Sequence, residues 1–160
     1  MTHYEMRYEK RKSSENEALA LFESAEFCII STVDDDGMPY GVPLSFVLID
    51  RTIYIHTTNT FGHKLDNFNR DARVCVTVAG NPKPDYQAPY FTTSYESAIA
   101  FGTIREVPLG VEFRKALVQL CLKYVPEAQK EIGSAIEREI STTAVWAIDI
   151  SEITGKVSRQ

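Results

Sequence analysis

Tyr40-Gly41-Val42-Pro43-Leu44-Ser45-Phe46-Val47-Leu48-Ile49-Asp50-Arg51-Thr52-Ile53-Tyr54-Ile55-His56-Thr57 is the stretch from which the fold is read. Tyr40, Val42, Leu44, Phe46 and Leu48 recur with period two, as in a strand with one face turned inward. Pro43 has no N–H to give a ladder, so it marks an edge, a bulge or an opened pair of strands. Asp50-Arg51 then reads as a two-residue turn into a strand over 52–57. Upstream, residues 27–33 are rich in strand formers and end in Asp34-Asp35-Asp36-Gly37, where the glycine supplies a positive φ. The spacing predicts a three-stranded meander.

Working outward, Ser14-Glu15-Asn16-Glu17 has the form of a capping box, and Ala18, Leu21, Phe22 and Ala25 share the face of a helix over 15–25. Residues 61–71 read as a short helix with Leu65 and Phe68 inward, followed by a strand over 74–78. Three prolines in 81–89 predict an irregular surface loop. A strand over 97–107 follows. Leu109, Phe113, Leu117, Leu120 and Tyr124 then keep helical spacing until Pro126 stops the helix. A second short helix is expected over 127–137, and a last strand over 142–150 with Trp146, Ile148 and Ile150 on one face. About six strands joined mostly by short turns predict a mainly β fold, a small antiparallel barrel with peripheral helices. No repeat or flexible linker divides the 160 residues, so they read as one domain with an N-terminal arm over 1–13 that includes His3.

A net charge of −5 argues against nucleic acid as a partner, since that needs a basic face. The basic residues Arg7, Lys10, Arg11 and Lys12 alternate with Glu5 and Glu9 and read as a solvated arm. Apolar runs are too short to cross a membrane, and the N-terminus carries no secretion signal, which makes the cytoplasm the expected location. Three scattered cysteines predict neither disulfides nor a zinc site, and no histidine set has metal-ligand spacing.

Chemistry concentrates in Thr57-Thr58-Asn59-Thr60-Phe61-Gly62-His63-Lys64. A strand ends in hydroxyls, a glycine allows close backbone approach, and a lysine opens a helix. Together these can cradle a phosphate at a helix N-terminus. The alternative is that the threonines cap the helix and Lys64 is solvated. Neither a P-loop nor a dinucleotide-binding glycine fingerprint occurs. No nucleophile elbow or Cys–His pair is present either, so no catalytic acid, base or nucleophile is singled out.

The segment Val33 to Phe46, then His56-Thr57-Thr58, Gly62-His63-Lys64-Leu65-Asp66-Asn67, Tyr95 to Gly102, and Trp146 with Thr154-Gly155-Lys156 resembles the pyridoxamine 5′-phosphate oxidase-like superfamily. Within it the chain is most similar to the 5-nitroimidazole-resistance (Nim) related flavoproteins. The resemblance spans roughly residues 6–156 and implies a six-stranded FMN-binding split barrel, acting as a homodimer with the flavin between subunits. It implies that Val42, Pro43, Leu44 and Ser45 lie along the isoalloxazine ring. His56, Thr57 and Thr58 would end a strand near the phosphate, which Gly62, His63 and Lys64 would grip. Ser97 and Trp146 would complete the cofactor contacts.

Two departures bear on the reaction. The oxidase has an arginine near Val42 and a substrate-binding arginine pattern near the C-terminus. Here Trp146-Ala147-Ile148-Asp149 carries no cation, which argues against pyridoxine phosphate as substrate. The resemblance therefore implies an FMN-dependent oxidoreductase acting on a small oxidised molecule such as a nitroaromatic. NAD(P)H would dock only transiently, and no single side chain would be an essential acid or base. The alternative is a flavin- or haem-binding protein that stores, delivers or senses its ligand, with His56 or His63 as a haem ligand.

Overall fold

The computed structural model describes residues 5–158 and is built around one antiparallel sheet. Its strands are β1 Lys12–Ser13, β2 Cys28–Val33, β3 Pro39–Leu44, β4 Val47–Ile49, β5 Thr52–Thr58, β6 Arg73–Gln87, β7 Tyr90–Val107 and β8 Thr143–Ser158. They lie in the order β3-β2-β6-β7-β8-β5-β4, with β1 added along β8. Four helices accompany them: α1 Glu15–Ser24, α2 His63–Arg70, α3 Val111–Tyr124 and α4 Ile132–Glu139. His3, expected in the arm, lies outside the described residues.

The two ends of the strand order, β3 and β4, are consecutive in the chain and joined only by Ser45-Phe46. The sheet edges therefore meet at that link, and the sheet curls into a barrel with a seam. This corrects the expected meander: β3 pairs with β2 while β4 pairs with β5, and no ladder connects the two halves. Pro43 sits on the edge strand β3, where a missing N–H costs no ladder bond.

Two apolar cores result. Inside the barrel, Phe22, Ile30, Phe46, Ile53, Ile55, Val76 and Ile148 are all fully buried. Outside it, α3 and α4 cover a second cluster made by Val47, Tyr54, Val107, Val145 and Ala147 with Phe113, Ala116 and Leu120. β8 is consequently buried on both faces, Trp146 and Ile148 toward the barrel and Val145 and Ala147 toward the helices. That double burial explains the unbroken apolar run 144–148.

The capping box forms: the Glu17 N–H donates to the Ser14 hydroxyl (3.2 Å) and the Ser14 N–H to the Glu17 carboxylate (2.8 Å). The loop expected over 81–89 does not. Those residues continue β6 into a long ribbon with β7, with a register shift between Gly80 and Lys83. Past the shift β6 has β7 as its only strand neighbour, so Pro84 can face solvent without breaking a ladder. β7 accordingly starts at Tyr90, not near Ser97, and β8 runs on to Ser158. Leu109, expected on the apolar stripe of α3, precedes that helix and is exposed. The helix expected over 127–137 is a 3-10 segment, Pro126–Glu131, that leads into α4.

Candidate functional site

On its β4 side, β5 is paired only from Thr52 to Tyr54. From Ile55 to Thr58 it has a strand neighbour, β8, on one side alone. The chain then turns through Asn59, held by its N–H to the Thr142 carbonyl (3.0 Å) and by its side-chain amide to the Ser141 carbonyl (2.8 Å). It enters α2 through Gly62, whose φ of 157° and ψ of 152° suit glycine alone and whose carbonyl accepts from Leu65 and Asp66. An open strand edge thus runs directly into a helix N-terminus. Leu65 and Phe68 anchor α2 in the barrel core, and the buried Asn67 amide donates to the Thr32 hydroxyl (2.9 Å).

The residues expected at a phosphate are only partly available to one. Lys64 is half-buried and has no carboxylate partner among the described residues. The Thr57 hydroxyl is buried and donates to its neighbour's carbonyl, Thr58 O (2.9 Å), whereas the exposed Thr58 hydroxyl pairs with that of Thr60 (3.1 Å). His63 is engaged within the chain. Its ring lies on Tyr40 with centroids 4.1 Å apart, and its Nε2 is 3.7 Å from an Asp34 carboxylate oxygen. Asp34 in turn accepts the N–H groups of Asp36 and Met38, so the β2–β3 turn positions the imidazole.

Along the seam, Val42 and Leu44 pack toward the barrel core, while Pro43 and Ser45 are exposed. His56 is exposed on the opposite face of β5 from Ile55 and Thr57. With Ser45 and Thr143 it lines a groove of about 300 Å³ whose walls are Leu117, Leu120 and Ile136. Among the described residues no lysine or arginine lines this groove, and Glu139 is its one carboxylate. Ser45, His56, Thr57, Thr58, Gly62, His63 and Lys64 are thus gathered around the seam and the start of α2.

Ser97 and Trp146 are placed differently. Ser97 pairs with Lys156 and His56 with Val145, positions eleven residues apart on β8. At ~3.3 Å per residue that is about 35 Å of strand, so the two do not share one site within a chain. Trp146, expected among the cofactor contacts, is 5% exposed and packs on Phe68 with ring centroids 5.3 Å apart. Its indole N–H is buried with no hydrogen-bond partner.

Tyr124 was read only as part of an apolar stripe. Its hydroxyl accepts the Phe46 N–H (2.9 Å) and donates to the Glu26 carbonyl, so it pins the link that closes the barrel. Beside it the Lys123 ammonium is buried 3.9 Å above the Phe46 ring. Burial holds its pKa below the usual lysine range. Burial also pushes the Cys28 thiol up to about 12, an inert buried sulfur.

The apolar alternation of Phe46–Ile49 does not supply a surface for a second subunit. Phe46 and Val47 are buried within the chain. Exposed apolar residues lie instead on the outer face of β3-β2-β6-β7. One row there runs Pro43, Ile29, Thr77, Ile99 and a second Gly41, Ser31, Cys75, Phe101. Ile29, Ile99 and Phe101 are each more than a third exposed, and Ser97 belongs to the same face.

The fold is shared with solved structures. A Bacteroides thetaiotaomicron protein to which 5-nitroimidazole antibiotic resistance is provisionally ascribed matches with a TM-score of 0.75 and 23% identity, over 98% of this chain and 95% of its own. An FAD and haem binding protein of Mycobacterium smegmatis matches at 0.81 and 21%, over 94% of this chain and 74% of its own. The flavocytochrome Anf3 of Azotobacter vinelandii matches at 0.83 and 18%, over 98% and 73%. No curated protein matches by sequence. The profile of the pyridoxamine 5′-phosphate oxidase family, however, matches residues 14–157, which include both cores, the seam and the start of α2. The chain belongs to the pyridoxamine 5′-phosphate oxidase family.

Proposed function

We propose that the protein binds FMN, in a cleft completed by a second copy of the chain, and reduces a small oxidised molecule. The observation that carries this reading is the open β5 edge from Ile55 to Thr58 running into Gly62-His63-Lys64, with Lys64 free of carboxylate partners among the described residues. Backbone N–H groups at the start of α2, the Thr58 and Thr60 hydroxyls and the Lys64 ammonium suit a phosphate. His63, fixed by Tyr40 and Asp34, borders that cradle. Val42 to Ser45 would run along the ring, which supplies the hydride or electrons when bound. Ser97, on β7 opposite Lys156, is too far from His56 to reach the same flavin within one chain, so it would contribute from the partner copy. The chain's own residues bind, orient and exclude water.

The groove beside Ser45 and His56 favours an uncharged, largely apolar substrate, for which a nitroaromatic is suitable. Lacking a cation, it is ill-suited to pyridoxine phosphate. NAD(P)H would serve as a transient donor, and the cytoplasm is the proposed setting. A second reading, haem binding, draws on the His56 imidazole exposed to an apolar groove, a setting compatible with axial ligation.

The test is reconstitution of the protein with FMN, riboflavin or haem. Lys64→Ala is expected to weaken FMN by ~1.5–3 kcal/mol, roughly ten- to hundredfold, and to leave riboflavin unchanged. Equal FMN affinity in both forms would place the phosphate elsewhere. A Soret band in place of a flavin spectrum would favour the haem reading.

A further inference from the structure

Residues 9–13 of the N-terminal arm are tied to the sheet through their backbone, while the side chains of Lys10, Arg11 and Lys12 stay exposed. A 3-10 turn, Glu9–Arg11, leads into β1, which pairs Lys12 with Lys156 and Ser13 with Gly155. Gly155 is required there, because a Cβ would collide with the Ser13 hydroxyl and lie 3.0 Å from Ala18. The arm thereby walls a cavity of about 390 Å³ against the β6–β7 ribbon and the end of β8. Lys10, Arg11, Lys12 and Ser13 line one side, with Gln87, Thr92 and Ser158 opposite.

The charge around this cavity is unbalanced. Lys12 and Lys156 are direct cross-strand partners, an arrangement that destabilises a ladder when the charges are alike. Arg11 and Lys156 also converge on the Tyr95 hydroxyl and hold that phenol below its usual range. None of Lys10, Arg11, Lys12 or Lys156 has a carboxylate partner among the described residues. Among the described residues Glu17 is the one acidic group in the wall; it accepts from the Ser14 N–H and hydroxyl in the capping box and keeps its negative charge. In a chain of net charge −5, three cations against one carboxylate in the wall of a single polar cavity, with Lys156 beside it, form a local exception.

We infer that this cavity binds a multiply charged anion, the phosphate or diphosphate group of a small molecule, with Lys10, Arg11, Lys12 and the Ser13 and Thr92 hydroxyls as donors. A concave site favours a small ligand over a nucleic acid, which would need an extended basic face that an acidic chain lacks. Bound anion would relieve the repulsion between Lys12 and Lys156 and give charge-assisted hydrogen bonds to the arm. The cavity lies at the Ser158 end of β8, away from Thr143 but near Ser97, whose β8 partner is Lys156, so pyrophosphate is titrated with and without bound FMN: equal affinity is expected, and displacement by FMN would overturn the inference.

The experiment is calorimetric and thermal titration of the full chain with inorganic pyrophosphate, with ionic strength held constant by sodium chloride. Pyrophosphate is expected to bind and raise the melting temperature where chloride does not. Lys12→Ala is expected to weaken binding by roughly tenfold or more. Its ligand-free melting temperature should stay level or rise, because the like-charge pair is gone, which a purely structural lysine would not allow. Lys10→Ala serves as a second variant with the same expected loss of affinity. No binding beyond the chloride control, unchanged affinity in both variants, or tighter binding of a short oligonucleotide than of pyrophosphate would each overturn the inference.

Discussion

Tyr124 shows how much a single hydroxyl can carry. Phe46 is fully buried at the point where the sheet edges meet, and its N–H has no ladder partner there, only the tyrosine oxygen. Removing that oxygen leaves a donor unsatisfied, which costs about 1–3 kcal/mol. Tyr124→Phe is therefore expected to lower the unfolding free energy by ~1–3 kcal/mol in urea titration, with the denaturant slope unchanged. A loss below about 0.5 kcal/mol would mean water replaces the hydroxyl at the seam. None of this was legible in the sequence, where Tyr124 is one more member of an apolar stripe. Its polar partners, Glu26 and Phe46, are distant in the chain. The start of α2 at His63-Lys64 was legible, because the pattern that makes the helix is local in sequence.

Among elements, α3 is fastened at its first turn. Arg105 on β7 donates to Glu112 (2.7 Å) and Asp149 (3.0 Å), and the Tyr54 hydroxyl donates to Glu112 (2.9 Å). Arg105 holds the Glu112 carboxyl below its usual value of 4.5. A depressed folded-state pKa stabilises above the unfolded value and is lost as pH falls through the folded one. The Glu112 and Arg105 side chains are 40% and 42% exposed, so solvent screening keeps the effect to about 1 kcal/mol or less. Glu112→Gln is expected to be less stable than the parent near pH 7, with the gap closing as the pH falls below the ordinary value of 4.5 and through the depressed folded-state pKa. A gap independent of pH would show that hydrogen-bond geometry, not charge, holds the helix.

Element readings succeeded where local pattern and tertiary setting agreed. The strand over 52–57, the capping box and the inward Leu65 and Phe68 are such cases. They failed where pairing decides. The alternation from Tyr40 to Leu48 runs through Ser45 without a break, yet the two sides of that serine pair with different strands. Pro82 and Pro84 read as a loop because single-sequence reasoning cannot know that the ribbon is an edge, whereas Pro89 does sit in the turn between β6 and β7.

At the scale of the molecule, the candidate site is dispersed in a way that one chain cannot resolve. Ser45, His56 and the start of α2 gather at the seam, while Ser97 lies on β7, opposite Lys156 toward the far end of β8, on the exposed apolar face with Ile29, Ile99 and Phe101. A flavin touching both sets requires two copies related so that one chain's apolar face meets the other's seam, and a twofold axis supplies two such sites at once. The cofactor and the assembly then become a single claim. Sedimentation velocity of the FMN-reconstituted protein, followed at the flavin's visible absorbance, tests it most directly. The account predicts that the flavin signal sediments as a single species at the mass of two chains. Flavin carried by a single chain, or a dimer that sediments without the flavin signal, would contradict it.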